Sequence, residues 1–258
     1  MSVASAAVLL AVTLLPMTPV PARASAATDA ESMVIDLINA KRVTAGLVPL
    51  RRATPLAIVA GDRAAAMASA NVANHTVGGG LGPDLTRAGV TWYGYGEAVG
   101  WTTYSWATSA ARELERMWMA SPSHRALLMS NDYNYVGVGL AYRSSNGRTY
   151  GTVVLTESAD ENGARSWFTS VGVSGRDITW KWYGTDLPLQ THTAGLRDYD
   201  VQYRVNGGPW ITTRNDWGAS SLTMRDRTPG LRYGLRIRAT DRHGNIGAWT
   251  SEAAVTVP

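Results

Sequence analysis

The sequence predicts an α+β protein of two modules: an N-terminal one that combines helices with strands, and a C-terminal one built of strands alone. Three observations carry this. Between Asp29 and about Leu128, apolar residues recur at helical spacing. After Asn131 the period switches to two, with Tyr135–Tyr142 and Thr149–Thr156 reading as a hairpin around Ser144-Ser145-Asn146-Gly147. Beyond a polar break at 159–166, ADENGARS, no helical pattern returns, and short alternating segments are separated by turn signals roughly every ten residues.

The composition agrees. The chain has 258 residues, 45% of them hydrophobic and 17% charged, which is ample for a packed core and excludes dominant disorder. It has no cysteine, so disulfides, zinc ribbons, thiolate catalysis and cysteine-held clusters are excluded. Residues 28–164 hold 11 basic and 12 acidic groups and residues 165–258 hold 12 and 8, so the positive surplus lies in the β-module. A net charge of +4 is too small to argue for nucleic acid.

Taken in order, residues 1–27 read as an export signal. The apolar run Ala6–Leu15 is too short to span a bilayer, and it is followed by Pro16, Pro19 and Pro21 and then by Ala24-Ser25-Ala26, small residues of the A-x-A type. No other stretch is apolar enough to span, so a secreted or cell-surface protein is expected, the alternative being that residues 1–27 stay attached as a membrane anchor. A first helix is expected over Glu31–Ala45, with Val34, Leu37, Ile38 and Lys41 at helical spacing and Gly46 as its stop. Thr54-Pro55 reads as an N-cap followed by first-turn proline, opening a helix with the stripe Leu56, Val59, Ala60, Ala64, Met67 and Ala68. Gly78–Pro83 reads as a loop. A third helix is expected over roughly Ser105–Met119, with Leu114, Met117 and Trp118 buried, and Ser121-Pro122 restarts a short one through Leu128. In the β-module, strands are expected at Ile178–Tyr183, Asp198–Asn206, Ser221–Met224, Tyr233–Thr240 and Ala253–Val257. The domains are thus expected at 28–158 and 167–258, joined by a linker at 159–166.

Three pieces of the first module resemble the CAP superfamily (cysteine-rich secretory, antigen 5 and pathogenesis-related type 1 proteins) in its bacterial SCP-like form. They are Asn74-His75, Gly96-Glu97-Ala98-Val99-Gly100-Trp101, and Trp118-Met119-Ala120-Ser121-Pro122-Ser123-His124-Arg125 followed by Tyr135-Val136-Gly137-Val138-Gly139. The resemblance implies an α-β-α sandwich with a cleft holding two histidines and two acids. His75, Glu97 and His124 stand at matching positions; the second acid's place is taken by Ser121, and Ala98 replaces an asparagine. The second module resembles fibronectin type III and related immunoglobulin-like sandwiches. Trp180 or Trp182 would be the core tryptophan and Tyr233 the tyrosine-corner residue.

Two imidazoles and a carboxylate are a ligand set for Zn²⁺ or another divalent cation with open positions for water. The spacings of 22 and 27 residues are not those of a preorganised helical motif, so the metal reading leans on the resemblance. Alternatively, the three side chains only tie helices to sheet by hydrogen bonds. No Gly-x-Ser-x-Gly or phosphate-binding loop is present. Three functions stay open: a non-catalytic cleft for a lipid, sterol or other amphipathic ligand, a metal-assisted hydrolase of peptide or wall substrate, and a structural adhesin. For the adhesin, Arg232, Arg236 and Arg238 share one strand face that would attract anionic wall polymers or headgroups. Trp210, Trp217 and Trp249 are candidates for sugar stacking, and His192 and His243 are expected to be solvated in loops.

Overall fold

The computed structural model describes residues 22–105 and 108–258, with side chains from Asp29 onward. Most of the expected export segment therefore lies outside the described residues. The first helix, α1 (Ala22–Thr44), starts earlier than Glu31, since the alanine-rich stretch before it favours helix. Then come β1 (Arg51–Arg52), α2 (Thr54–Ala70), α3 (Leu81–Arg87), β2 (Gly94–Thr102), α4 (Thr108–Ala120), α5 (Pro122–Leu128), β3 (Tyr135–Arg143) and β4 (Arg148–Glu157). The sheet order is β1-β3-β4-β2, which makes β2 an edge strand. The hairpin closes as the sequence predicts, with Arg143 opposite Arg148.

Period-two alternation sends the two sides of this sheet to different helices. Val136, Val138, Val153, Leu155 and Ala98 pack with α1 and α4 through Val34, Ile38, Leu114 and Trp118. Tyr135 and Val154 face α2 and meet Leu56, Val59 and Ala60. Gly137 and Gly139 lie on that second side. A Cβ at either would strike the backbone of α2, at Leu56–Ala57 and at Ala60–Gly61 respectively. The two glycines thus let α2 lie directly on β3. The result is the expected α-β-α sandwich.

Four local expectations are corrected. The N-cap position of α2 is Ala53 in extended conformation, and Thr54 is the first helical residue with no side-chain cap, although Pro55 does sit in the first turn. The glycine loop ends at Gly80, and Leu81 opens α3 with Pro83 in its first turn, where a missing N–H costs nothing. The third helix begins at Thr108, Trp106 and Ala107 being outside the described residues. On it Leu114 and Trp118 are buried, but Met117 is 39% exposed.

The C-terminal region is a sandwich of two antiparallel sheets. Its strands are β5 (Arg165–Ser174), β6 (Asp177–Thr185), β7 (Leu196–Val205), β8 (Ile211–Trp217), β9 (Ser221–Met224), β10 (Arg232–Asp241) and β11 (Ala253–Thr256). One sheet has the order β11-β10-β7-β8 and the other β5-β6-β9. Ile178, Trp180 and Trp182 alternate inward on β6, and both tryptophans are buried. Trp180 donates its indole N–H to Ala253 O at 2.9 Å. Tyr233 is a tyrosine corner, its hydroxyl accepting the Thr228 N–H at 3.3 Å.

Residues 159–166 are built into the packing. β5 begins at Arg165 within them, Ala164 joins the sandwich core, and Asp160 is buried. The segment between β6 and β7 docks on the first module. Leu189 packs with the α2 core, Val48 N–H donates to Gln190 Oε1 at 2.8 Å, and Asn134 Nδ2 donates to Thr191 O at 3.1 Å. His192 lies in this loop and is exposed, as expected, and it also joins the contact: its Nε2 lies 2.8 Å from Glu157 Oε1 and its ring 4.8 Å from that of Tyr93.

Candidate functional site

Glu97 stands on β2, on the side of the sheet that faces α2, with its side chain 5% exposed. Its Oε1 accepts from Arg63 Nε at 2.5 Å and from the Thr152 hydroxyl at 3.2 Å. Its Oε2 accepts from Arg63 Nη2 at 3.1 Å and lies 2.9 Å from His75 Nδ1. An ionised carboxylate only accepts and offers about four lone-pair sites, so Nδ1 of His75 carries the proton and all of Glu97's capacity is engaged.

Arg63, on α2, is the residue that sequence reasoning missed. All five of its N–H donors are used. Besides the two to Glu97, Nη1 donates to Gly79 O at 3.1 Å and Asp84 Oδ2 at 2.9 Å, and Nη2 donates to His75 O at 2.8 Å. It therefore ties β2, α3 and the loop carrying His75 to α2. Burial works to lower the guanidinium's pKa, and the hydrogen bonds and charges of Glu97 and Asp84 outweigh it and raise it. The sequence signal was present: Arg63 interrupts the apolar stripe of α2, three residues after Ala60 and four before Met67.

His124 lies on α5 and is half-buried. Burial pushes its pKa down, and neighbouring His75 pushes it further. The structure thus brings His75 and Glu97 into contact and sets His124 within His75's field. Ser121 sits at the N-cap position of α5, where its hydroxyl meets only that of Ser123, at 3.3 Å. Among the described residues, His75, Glu97 and His124 do not form a set of ligand atoms all within 4.8 Å of one another. With its carboxylate committed to Arg63, the donor set fits a hydrogen-bonded network better than a three-ligand metal centre; two imidazoles remain.

The open edge of β2 continues past Glu97 as a cleft of about 560 Å³, lined among others by Ala73, Val99, Trp101, Tyr104, Glu113 and Met117. That volume is in the range of small-molecule sites. Trp101, Tyr104 and Met117 are 37%, 53% and 39% exposed, an apolar surface left open to water. Arg148 lies over the Trp101 ring at 3.8 Å. Trp118 donates to Val99 O at 3.0 Å and fixes β2 to α4, the helix that also supplies Glu113 and Met117 to the cleft.

In the sandwich, the arginines of β10 are internally matched. Arg236 lies between Trp210 and Trp249, 4.4 and 4.6 Å from their ring centres, and Arg238 is 4.7 Å from Trp249. Arg204 lies 4.5 Å from Trp210. Asp200 pairs with Arg238 at 2.8 Å, and Glu252 pairs with both Arg204 and Arg232. The faces of Trp210 and Trp249 are thus occupied by guanidinium groups.

Comparison with known proteins agrees with this architecture. The model of the cysteine-rich secretory protein family, CAP, matches residues 35–156. A search of curated proteins returns no match to this chain. Among solved structures, an extracellular protein containing an SCP domain from Bacillus anthracis is 23% identical with a TM-score of 0.47, over 56% of this chain and 45% of that one. An outer surface protein of Borrelia burgdorferi is 17% identical with a TM-score of 0.45, over 50% of this chain and 92% of that one. For the C-terminal region, an Fn3-like protein from Clostridium thermocellum is 18% identical with a TM-score of 0.27, over 38% of this chain and 96% of that one. Residues 35–156 thus carry a CAP domain of the cysteine-rich secretory protein family, and a β-sandwich of two antiparallel sheets follows it.

Proposed function

We propose that this is an exported, non-catalytic binding protein whose cleft along β2 takes a small amphipathic molecule of the lipid or sterol type. The observation that carries this reading is the engagement of every Glu97 lone pair by Arg63, Thr152 and His75. A general base or a metal-bound water site needs a carboxylate free to act, and this one is held. Farther along β2, Trp101, Tyr104 and Met117 offer an exposed apolar wall, and Thr102, Thr103 and Glu113 line the same cleft with polar groups. A ligand with both characters matches that sequence of surfaces. The sandwich serves as a firmly docked spacer. Its matched arginine–tryptophan face gives wall-polymer attraction less support than the cleft gives ligand binding. Export is supported by the leader-like residues 1–27 and by relatives described as extracellular or outer surface proteins. Among the described residues, no helix is long and apolar enough to cross a membrane.

Titration of a fluorescent fatty acid, and separately of a fluorescent sterol, into the full chain should show saturable binding with at least one of them at micromolar protein. Silence with both would sink the reading. Calorimetric titration of Zn²⁺ into the wild type, His75→Ala and His124→Ala should give weak heats throughout. A tight heat lost in both variants would replace this proposal with the metal-assisted one.

A further inference from the structure

We propose that Asp160, Asp186 and Asp241 hold a divalent cation of the calcium type where the two modules meet. Asp160 lies in the segment after β4, Asp186 directly follows β6, and Asp241 ends β10. They come from both sheets of the sandwich and from its junction with the CAP domain. All three are buried, at 3%, 7% and 0% exposure, and one ligand atom from each lies within 4.8 Å of the others.

The charges in this cluster do not balance. Among the described residues, the ion-pair partner of the three is Arg51, which meets Asp160 Oδ1 at 2.8 Å. Three carboxylates and one guanidinium leave a formal deficit that one divalent cation would fill. Asp241 is met by neutral donors only: Asn245 N–H to Oδ1 at 2.9 Å and Asn245 Nδ2 to Oδ2 at 2.8 Å.

A second observation points to a ligand. Asp186 Oδ2 accepts the Gly195 N–H at 2.7 Å, whereas Oδ1 is buried with no hydrogen-bond partner. An unpartnered anionic oxygen shielded from water is costly unless a cation meets it. The donor set is all oxygen and contains no imidazole, which favours a hard ion. Calcium accepts such carboxylates with carbonyls and water in flexible geometry, whereas magnesium demands a near-ideal octahedron. The ion would tie both sheets of the sandwich to the first module, independently of what the β2 cleft binds.

Equilibrium dialysis of Ca²⁺ against the chelator-stripped full chain should find one ion per chain, with a dissociation constant of about 10⁻⁴–10⁻³ M, as in extracellular modules. At several times that concentration Tm should rise by about 2–4 °C. Asp186→Asn and Asp241→Asn should each weaken binding by at least about tenfold. Asp186→Asn should also raise the metal-free Tm, whereas His75→Ala should bind Ca²⁺ as the wild type does. In the wild type, Ca²⁺ should slow hydrogen exchange at Gly195 and Asn245, a readout that holds even where a variant fails to fold. The proposal is overturned by no binding at about ten times the expected constant, by binding unchanged in both Asn variants, by unchanged exchange at those two amides, or by an equal response to Mg²⁺.

Discussion

Replacing Arg63 by methionine removes a guanidinium that is 3% exposed and leaves Glu97, itself 5% exposed, without its cation. Asp84 keeps Arg87 at 2.9 Å on the surface, but Glu97 keeps only His75 and the Thr152 hydroxyl. Breaking a buried pair by deleting one member costs about 3–5 kcal/mol, because the remaining charge stays out of water. The carbonyls of His75 and Gly79 also lose their donor, but they lie in an exposed loop that water can reach. Against a usual domain stability of about 5–15 kcal/mol this is a large share. In a chain of this size it corresponds to a fall in Tm of roughly 6–20 °C. Urea unfolding of Arg63→Met, Glu97→Gln and the double variant measures it. The double variant should recover at least about 1 kcal/mol relative to the sum of the singles, since it leaves no stranded carboxylate. An Arg63→Met cost below about 1 kcal/mol, or strict additivity, would show that Glu97 does not depend on Arg63, and the case against a free carboxylate would fall with it.

Three other outcomes are expected. His124 has its folded pKa held below 6.5 by burial and by His75, so the unfolded chain takes up that proton first. Its contribution to stability is present above pH 6.5 and is lost progressively as pH falls below that value toward the lowered folded pKa, and His124→Gln should flatten the slope in that range in a pH series of unfolding midpoints. Gly139→Ala should cost about 1–3 kcal/mol or more, because the new methyl meets helix backbone that cannot rotate away. Gly172→Ala, with open space at its Cβ, should be near neutral in the same denaturation assay. Tyr233→Phe removes the acceptor of the Thr228 N–H and should cost about 1 kcal/mol in thermal unfolding.

The features legible in the sequence were those that bury one face at a regular period. The stripe of α2, the β3–β4 hairpin, Trp180, Trp182 and the corner tyrosine all follow from such patterns and emerge in place. What escaped was made by tertiary contact. β1 is two residues long and exists because it pairs with β3. β5 and β8 are largely exposed strands whose registers are broken by bulges, so neither alternates cleanly. Met117 carries an apolar side chain at helical spacing, yet it faces the cleft. In the candidate site, motif position found His75, Glu97 and His124, but their chemistry depends on Arg63, which matches no expected pattern and shows only as a charge inside an apolar stripe. The acidic trio at the junction is drawn from residues 160, 186 and 241, and only the packing of the two modules brings it together.

The central claim is that the cleft along β2 binds an amphipathic ligand without catalysis. The most direct measurement is the affinity of one fluorescent lipid for the wild type and for Met117→Glu, which places a charge on the exposed apolar wall without touching the His75–Glu97–Arg63 network. The account predicts saturable binding in the wild type and at least about tenfold weaker binding in the variant, as expected when a charge must be desolvated against the ligand. Equal affinity in both proteins, or no binding in either, would contradict it.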